Sequence, residues 1–270
     1  MKQKAVKKNQ SVEKVLRIIE VMSTRRGPMR LQDIAAASEL PSSTAIRFLN
    51  TLSQYNYVVQ DPDSSRYALT LKICKIANEV HAQISVRDVI RPHILKLSDM
   101  CGESACTAIA EGTQVVYIDV VEGPDQMLRT LQRIGKRAPL HSTGVGKCLL
   151  LNYSDAELAT LAETTGLESL TEHTVTEIEG LKAELNRVRA DGYALDDEEC
   201  ELGVRCVAAP VRDFSGDVVA AISISGPASR MTGERIERVK DRVRSTAAAI
   251  STQLGYTPET RPVPATEKPV

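Results

Sequence analysis

The segment LQDIAAASELPSSTAIRFLNTLSQYNYV, residues 31–58, decides the architecture of the first part of the chain. Apolar residues at helical spacing from Leu31 to Ala35 predict a short helix, which the stretch Ser38–Pro41 ends. A second helix then follows, with Ser42 or Ser43 as its N-cap. Two helices joined by so short a turn predict a helix-turn-helix.

The residues on both sides of this motif extend it into a winged helix-turn-helix. Apolar residues at helical spacing predict a first helix that has Ser11 as its N-cap and ends at Arg25–Gly27. Downstream, residues 57–60 and 66–71 predict two strands around a turn rich in Asp, Pro and Ser. The predicted DNA-binding domain therefore covers residues 11–71.

The pattern changes after this domain. An amphipathic stretch predicts a linker helix at residues 72–85, and a second domain covers residues 86–256. Strands in runs and helices in runs indicate an α/β (α+β) fold with one antiparallel sheet. The predicted helices are residues 86–100, 144–151, 154–162, 176–190 and 232–254, and the predicted strands are residues 105–110, 114–121, 127–133, 206–211 and 218–225. A solvated basic arm at residues 1–10 precedes the domains, and a proline-rich, disordered tail at residues 257–270 follows them.

Charge is distributed unevenly along the chain. Residues 1–75 contain 13 Lys and Arg but 6 Asp and Glu, whereas the rest contains 21 basic and 29 acidic residues. A basic head on an acidic body indicates that one domain meets a polyanion, although the formal net charge of the whole chain is −1. Because Trp is absent and Phe occurs twice, few residues can stack on single strands, and the expected partner is double-stranded DNA.

The composition disfavours several other classes of protein. No apolar run approaches the roughly 18 to 20 residues that cross a bilayer, and no apolar signal segment follows the basic N-terminus. A cytoplasmic protein without a membrane partner is therefore expected. The six cysteines are scattered and form no Cys-x-x-Cys pair, which argues against disulfide scaffolding and a zinc ribbon. Neither a metal site nor a cofactor is predicted.

The second helix of the helix-turn-helix is expected to enter the major groove with its first turn facing the base edges. The residues expected to contact DNA are Ser42, Ser43, Thr44 and Arg47 in this helix and Arg66 in the wing. The guanidinium of Arg47 can form a bidentate contact with a guanine edge or clamp a phosphate. The structural alternative is that the serines only cap the helix, Arg47 is a solvated charge and the hairpin is a dimer contact.

Two groups of motifs give the chain its resemblance to a known family. The N-terminal part contains SVEKVLRIIEVM, LQDIAAASELPSSTAIRFLNTLSQYNYV and DPDSSRYALTLK, and the C-terminal part contains RIGKRAPLHSTGVGKCLL, GYALDDEECELGVRCVAAPVRD and VAAISISGPASRMT. Over roughly residues 9–256 the chain resembles the IclR family of bacterial transcriptional regulators. The resemblance implies a winged helix-turn-helix, a linker helix and a GAF-like effector domain. It also implies a homodimer or homotetramer that controls transcription in response to a small molecule, often a carboxylate.

The C-terminal motifs also predict a ligand pocket. The segment HSTGVGK places Gly144 and Val145 at the start of a helix, where unpaired amides and the helix dipole attract a carboxylate. In the strand AISIS, Ser223 and Ser225 share one face. By the resemblance, the positions that match effector contacts are Gly144, Val145, Asp196, Cys206, Ser223 and Ser225, with Met127, Thr130, Ala138 and Val204 on the apolar side. The alternative for each is structural: glycines that turn a loop, serines bonded along the sheet and a buried cysteine.

These features together predict a regulator, a repressor of transcription, whose affinity for a pseudo-palindromic operator depends on a small organic acid. Two other functions stay open: a redox- or metal-responsive transcription factor that works through cysteine, and a small-molecule enzyme with a DNA-binding head. No catalytic residue is predicted, because His141 and Cys148 lack a third group that would orient them. The acidic run at residues 196–199 is interpreted as the solvated edge of a loop, where Asp196 can accept ligand hydroxyls.

Overall fold

The computed structural model describes residues 9–25, 27–83, 85–123 and 132–258. It consists of two compact units, with the boundary between Ile84 and Ser85. Most of the predicted basic arm, the predicted contacts Met127 and Thr130, and the predicted tail beyond residue 258 lie outside the described residues. Among the helices that are described, none is long and apolar enough to span a membrane.

The first unit is a winged helix-turn-helix followed by one more helix. Its elements are α1 (Gln10–Ser23), α2 (Leu31–Ala37), α3 (Ser42–Gln54), the antiparallel strands β1 (Val58–Gln60) and β2 (Tyr67–Leu69), and α4 (Lys72–Gln83). Apolar residues that recur every three or four positions place one face of each of the first three helices in a common core. That core contains Ile18, Ile34, Phe48, Leu49 and Tyr67. The predicted winged helix-turn-helix is thus confirmed.

Both predicted N-caps are wrong. Asn9 caps α1, because its Oδ1 accepts hydrogen bonds from the backbone N–H groups of Ser11 at 3.1 Å and Val12 at 3.4 Å. In α3 the N-cap position is occupied by Pro41, whose φ of −59° and ψ of 141° lead the chain into the helix without a side-chain cap. Ser42 and Ser43 are therefore exposed residues of the first turn and not caps.

The second unit is an α+β domain. Its helices are α5 (Val86–Cys101), α6 (Gly144–Leu149), α7 (Asp155–Thr165), α8 (Ile178–Asp191) and α9 (Gly233–Gln253). Its strands are β3 (Ser104–Glu111), β4 (Gln114–Val121), β5 (Arg137–Pro139), β6 (Ala194–Asp197), β7 (Val204–Arg212) and β8 (Val218–Pro227). The strands form one sheet in the order β5-β4-β3-β8-β7-β6, and all neighbours are antiparallel, as predicted.

The sheet separates two hydrophobic cores. On one face, α5 and α9 pack on the sheet around residues such as Ile94, Ile222 and Val243. On the other face, α6, α7 and α8 pack around residues such as Leu149 and Leu185. Since successive residues of a strand face opposite sides, each central strand contributes to both cores.

Three details of the second unit differ from the sequence-based predictions. The short strands β5 and β6 were not predicted, because three or four residues are too few to establish an alternating pattern. Of the predicted strand at residues 127–133, the described residues Gln132 and Arg133 are not in a strand. The interpretation of residues 196–199 as a solvated loop edge is wrong for Asp196, which lies in β6 and is 3% exposed, and for Glu199, which is 7% exposed, whereas Asp197 is exposed.

A β-bulge in β4 reverses the direction of its side chains. Thr107 of β3 pairs with Asp119, whereas Ala108 pairs with Tyr117, so Ile118 is an extra residue in the ladder. Because of this extra residue, Tyr117 and Asp119 face opposite sides of the sheet although they are two positions apart. Tyr117 packs in the core beneath α6, α7 and α8, and Asp119 meets α5.

Candidate functional site

A cavity of about 200 Å³ lies in the second unit, on the face of the sheet that carries α6; we call it the sheet cavity. The sheet is curled, so strands from both of its ends contribute to the wall. The lining residues are Tyr117, Gln132, Lys136, Arg137, Ala138, Pro139, Thr143, Asp196, Cys200, Glu201, Val204 and Cys206. Charged and polar side chains make up about half of this lining, and the rest is apolar or sulfur-containing. Such a concave, polar site of this volume suits a small polar ligand.

The carboxyl group of Asp196 is the main ionisable group in the buried part of this wall. Its Oδ1 accepts hydrogen bonds from the backbone N–H groups of Glu199 at 2.9 Å and Cys200 at 3.3 Å. No described Lys, Arg or His forms an ion pair with it. Burial therefore raises the pKa of Asp196 to about 7, although the two N–H groups oppose this shift.

A buried lysine holds the polypeptide around Asp196. Lys147 of α6 has no exposed surface, and its Nζ donates to the carbonyl oxygen of Leu195 at 3.0 Å and to Glu199 Oε1 at 2.5 Å. Glu184 Oε2 of α8 lies 3.6 Å from the same nitrogen. Burial raises the pKa of Glu199, and the nearby ammonium of Lys147 opposes this. The lysine thus fixes the residues on both sides of Asp196 without lining the cavity.

The cavity also contains a polar atom that lacks a partner. Gln132 Nε2 donates to Ser225 Oγ at 3.1 Å, whereas Gln132 Oε1 is buried and has no hydrogen-bond partner among the described residues. A buried carbonyl oxygen without a donor costs about 1 to 3 kcal/mol. A ligand N–H or O–H group in the cavity would remove this cost.

The start of α6 is fixed by its own hydrogen bonds. Thr143 Oγ1 accepts from the N–H of Gly146 at 3.1 Å and donates to the carbonyl oxygen of Pro139 at 2.9 Å. A Cβ atom at Gly146 would lie 2.2 Å from the carbonyl oxygen of Leu140, so only glycine fits there. The amide of Gly146 is therefore already bonded and is not available to a carboxylate.

The buried thiols around the sheet cavity are poor nucleophiles. Burial raises the pKa of Cys106 to about 12 and that of Cys200 to about 11, and it also raises the pKa values of Cys148 and Cys206. Because the thiolate is the reactive form, these groups are suited to packing and weak hydrogen bonding. Within the described residues, no cluster of three or more His, Cys, Asp or Glu could hold a metal ion.

A larger hollow of about 490 Å³ lies beside α9 and β7, but its polar groups are satisfied. Arg212 Nη1 donates to the carbonyl oxygen of Gly216 at 2.7 Å. Ser251 Oγ donates to the carbonyl oxygen of Ala247 at 2.8 Å and accepts from the N–H of Arg212 at 2.9 Å. The sheet cavity is the better candidate, because its polar groups are not all paired.

The predicted effector contacts divide into three sets. Ala138, Asp196, Val204 and Cys206 line the sheet cavity, whereas Met127 and Thr130 lie outside the described residues. The other four are buried close to the cavity but are not among its lining residues: Gly144, Val145, Ser223 and Ser225.

The two serines of β8 are already bonded to side chains. Ser223 Oγ lies 3.0 Å from Cys106 Sγ and 3.4 Å from Ser225 Oγ. Ser225 is linked to two lining residues, to Gln132 by a hydrogen bond and to Cys206, its partner across the β7–β8 ladder. Gly144 touches the back of the site, since a Cβ atom at this position would lie 3.6 Å from the backbone nitrogen of Asp196.

Several lining residues were missed by the sequence-based prediction. Lys136, Arg137 and Thr143 adjoin predicted positions in the motif RIGKRAPLHSTGVGK, so the motif itself contained that information. Gln132 directly precedes the same motif. Tyr117 could not be found in this way, because the fold of the sheet brings it to the cavity from a strand that carries none of the motifs.

In the first unit, the predicted DNA contacts are accessible. Ser42, Ser43 and Arg47 are exposed on α3, Thr44 is half-buried, and Arg66 is exposed in the wing. The guanidinium of Arg47 lies 5.5 Å from the centre of the Phe48 ring, a contact that restrains it beside the recognition helix.

The turn of the wing is ordered by Asp61. Its Oδ1 accepts from the N–H groups of Asp63 at 3.1 Å and Ser64 at 2.7 Å, and from Ser64 Oγ at 2.8 Å. These hydrogen bonds, those from Ser64 first, lower the pKa of Asp61. The wing therefore presents Arg66 from a fixed turn.

Comparison with known proteins identifies the family. The model of the bacterial transcriptional regulator IclR C-terminal domain matches residues 78–252, and that of the IclR helix-turn-helix domain matches residues 11–62. The chain belongs to the IclR family. It is 33% identical over 247 residues to the HTH-type transcriptional regulator XynR of Escherichia coli (strain K12), which covers 92% of this chain and 98% of that protein.

Two further relatives agree with this assignment. The HTH-type transcriptional repressor AllR of Klebsiella pneumoniae is 37% identical over 258 residues, with 94% of this chain and 93% of AllR covered. The crystal structure of the Thermotoga maritima IclR matches with a TM-score of 0.61 and 32% identity, and 92% of this chain and 99% of that chain are covered. This IclR-family protein is therefore a DNA-binding transcriptional regulator with an effector-type C-terminal domain.

Replacement of Asp196 by Asn should change how stability depends on pH. The raised pKa means that folding keeps this carboxyl protonated, so the wild type loses stability as pH rises from about 4 to about 7. Each unit of pKa difference corresponds to about 1.4 kcal/mol. The Asn variant, whose carbonyl oxygen can still accept both N–H groups, should therefore gain stability relative to the wild type by a few kcal/mol across this range.

Urea unfolding at several pH values would measure the difference. Asp197→Asn is a matched control, because Asp197 is exposed and bonded to Arg205 at 2.5 Å, and an exposed pair contributes only about 0 to 1 kcal/mol. An identical pH slope for the wild type and Asp196→Asn would contradict the assignment of a protonated carboxyl.

Proposed function

We propose that this regulator is a repressor whose affinity for its operator is controlled by a small organic acid bound in the sheet cavity. The observation that carries this proposal is that the lining of one cavity includes both Gln132, whose Oε1 is buried without a partner among the described residues, and the buried carboxyl of Asp196. Buried polar groups without partners are rare, and a ligand can satisfy both. A role as a repressor is supported by the relatives that carry this name.

The lining residues favour a ligand with one acidic end and one hydrogen-bond-donating end. Two described cationic side chains line the cavity: Arg137 is paired with Glu111, whereas Lys136 has no ion-pair partner among the described residues. We place the ligand carboxylate toward Lys136 and its O–H or N–H groups toward Asp196 and Gln132 Oε1. A hydroxy acid of a few carbon atoms meets these demands within about 200 Å³.

We infer that binding, and not turnover, is the role of this site. The cysteines near it are held as thiols by burial, which also disfavours a redox-responsive mechanism. His141 has a lowered pKa, caused first by burial, and its Nε2 lies 3.1 Å from the carbonyl oxygen of Glu168. We therefore assign His141 a structural role. We also propose that the regulator acts in the cytoplasm.

Small hydroxy acids should raise the melting temperature of the wild type but not of a variant with a filled cavity. A ligand at about 100 times its Kd stabilises the folded state by about 2.7 kcal/mol. Val204→Phe should remove this effect, because Val204 lines the sheet cavity. Leu202→Phe is the control, since Leu202 is 58% exposed and is not a lining residue. Thermal unfolding with a panel of acids would test this, and equal shifts in the two variants would place the ligand elsewhere.

We propose that Arg47 reads or clamps the operator from the first turns of α3. Arg47→Ala should weaken operator binding by about 1 to 3 kcal/mol if the guanidinium contacts a base edge, and the loss should then depend on sequence. A phosphate contact would instead give a uniform loss and a salt slope shallower by about one.

Titration of a duplex selected from random sequences, at several salt concentrations, would distinguish these cases. Arg17→Ala is a matched control, because Arg17 lies on α1 and is bonded to Glu39 at 2.6 Å. If Arg47→Ala bound the duplex as tightly as the control, the recognition role of Arg47 would be excluded. Ser42, Ser43, Thr44 and Arg66 are proposed as supporting contacts.

We propose a homodimer, or a homotetramer built from it, that binds a pseudo-palindromic operator through two copies of α3. The support comes from α4, where Ile73, Ile76, Ala77 and Val80 recur with the spacing of a helix pair. Ile76 is 37% and Val80 is 50% exposed in the single chain. A second copy of α4 would cover this stripe.

The double substitution Ile76→Glu/Val80→Glu should therefore separate the protomers. In a dimer each new carboxylate would be buried against the same carboxylate of the second protomer. Desolvation and like-charge repulsion would then favour separate protomers. Sedimentation velocity would report the mass, with Asn78→Glu as a control that adds charge to α4 outside the stripe. An unchanged mass for the double variant would show that α4 is not the contact.

A further inference from the structure

One buried carboxylate in the second unit is shared by two arginines of a single helix. Asp119 of β4 has a side chain that is 1% exposed, and its Oδ1 accepts from Arg91 Nη1 at 2.5 Å and from Arg87 Nη2 at 3.4 Å. The same oxygen also accepts from the N–H of Val120 at 3.1 Å. Arg87 and Arg91 are four residues apart and lie on one side of α5.

The second oxygen of this carboxylate accepts no hydrogen bond from the described residues. Asp119 Oδ2 is buried and has no hydrogen-bond partner among the described residues, whereas Oδ1 accepts from three donors. A small rotation of the carboxylate, or a small shift of β4 along α5, would give Arg87 an oxygen of its own. The pair of arginines can thus be bonded in two discrete ways, which is the kind of element that a distant site can bias.

The β-bulge at Ile118 connects this clasp to the sheet cavity. Tyr117, on one side of the extra residue, lines the cavity, and Asp119, on the other side, faces α5. A displacement of Tyr117 by a ligand is therefore transmitted through a single peptide segment to Asp119. In the chain, α5 is the first element after α4, and Arg87 lies in its first turn.

We propose that Asp119, Arg87 and Arg91 form a two-position clasp through which occupancy of the sheet cavity changes the hold of β4 on the start of α5. In the empty state both arginines share Oδ1; in the occupied state Arg87 bonds Oδ2 and the first turns of α5 are held more tightly. Arg87 is a positioning residue in this scheme, because it touches neither the ligand nor the cavity. The inference rests on the proposed effector site for its physiological meaning.

The test replaces the ligand by a permanent occupant. Val204→Phe projects a larger side chain into the cavity and lies on β7, which is not a neighbour of β4 in the sheet. Hydrogen exchange is measured on the full-length protein for the backbone amides of residues 89–91, 93 and 94, which lie within α5 on both sides of Pro92. We expect Val204→Phe to slow exchange of these amides by about fivefold or more, in line with ordinary coupling between two sites.

The decisive variant is Arg87→Gln. It removes the donor that would use Oδ2 and leaves the shorter Arg91–Asp119 bond in place, and the Arg87 side chain is about half exposed, so folding is not at risk. With Arg87→Gln present, Val204→Phe should no longer slow exchange, whereas Arg87→Lys should restore part of the response because it retains a charged donor. A purely structural role of the ion pair predicts no such difference.

A second carboxylate of the same unit provides the control. Glu103 is buried and accepts two 2.7 Å hydrogen bonds from Arg230. Unlike Asp119, it is not next to a β-bulge that leads to a cavity-lining residue. Glu103→Gln should leave the response to Val204→Phe intact. If Val204→Phe does not slow exchange in the wild-type background, or slows it equally with Arg87→Gln, the clasp is overturned.

The experiments distinguish failure of the clasp from failure of the proposed effector site. Absence of any acid-dependent thermal shift would reject the ligand class and would leave the response to Val204→Phe unaffected. Conversely, an acid that binds the wild type but leaves the exchange of these α5 amides unchanged would retain the site and reject the clasp.

Discussion

The ammonium group of Lys147 is the constraint on which the second unit depends. It has no exposed surface, so its charge must be compensated by protein atoms, since an unpaired buried ion costs several kcal/mol. The compensation comes from Leu195 O, Glu199 Oε1 and, at longer range, Glu184 Oε2. These three groups belong to β6, the turn after it and α8, and the lysine itself belongs to α6. One charge therefore holds four segments together around the sheet cavity.

This arrangement determines the chemistry of Asp196. The ammonium of Lys147 bonds Glu199 and a backbone carbonyl, so Asp196 accepts two backbone N–H donors and forms no ion pair with a described cation, and Lys147 acts on it only at longer range. Desolvation then outweighs those two hydrogen bonds and raises the pKa of Asp196 to about 7. A carboxyl group that is kept near neutrality can stand beside an anionic ligand, which a permanently charged aspartate would repel.

The sequence predicts the long elements well and the short ones poorly. Helices such as α9, with 21 residues, repeat their apolar pattern often enough to be recognised, whereas β6, with four residues, does not. The acidic residues 196–199 were misread for a related reason. Charged residues are usually exposed to solvent. Glu199 is buried because its carboxylate is paired with Lys147, which is distant in the sequence. The motifs located one wall of the cavity, but the place of Tyr117 in it depends on the fold of the sheet, which no local pattern contains.

The two faces of the central strands differ in side-chain size, which sets how closely helices approach each face. On the face toward α5 and α9, β7 and β8 carry large aliphatic residues such as Val207, Ile222 and Ile224, which fill the space beneath the helices. On the opposite face the same strands and β3 carry Cys106, Ala108, Ala208 and Ser223. Small residues on this face let α6 lie close to the sheet, since a Cβ atom at Gly144 would be 3.2 Å from Ala208 Cβ. None of these four residues lines the sheet cavity, whose strand residues come from β4, β5, β6 and β7. The alternation in VAAISIS thus encodes one face that packs on α5 and α9 and one face on which α6 packs closely, and the cavity is left to the outer strands of the sheet.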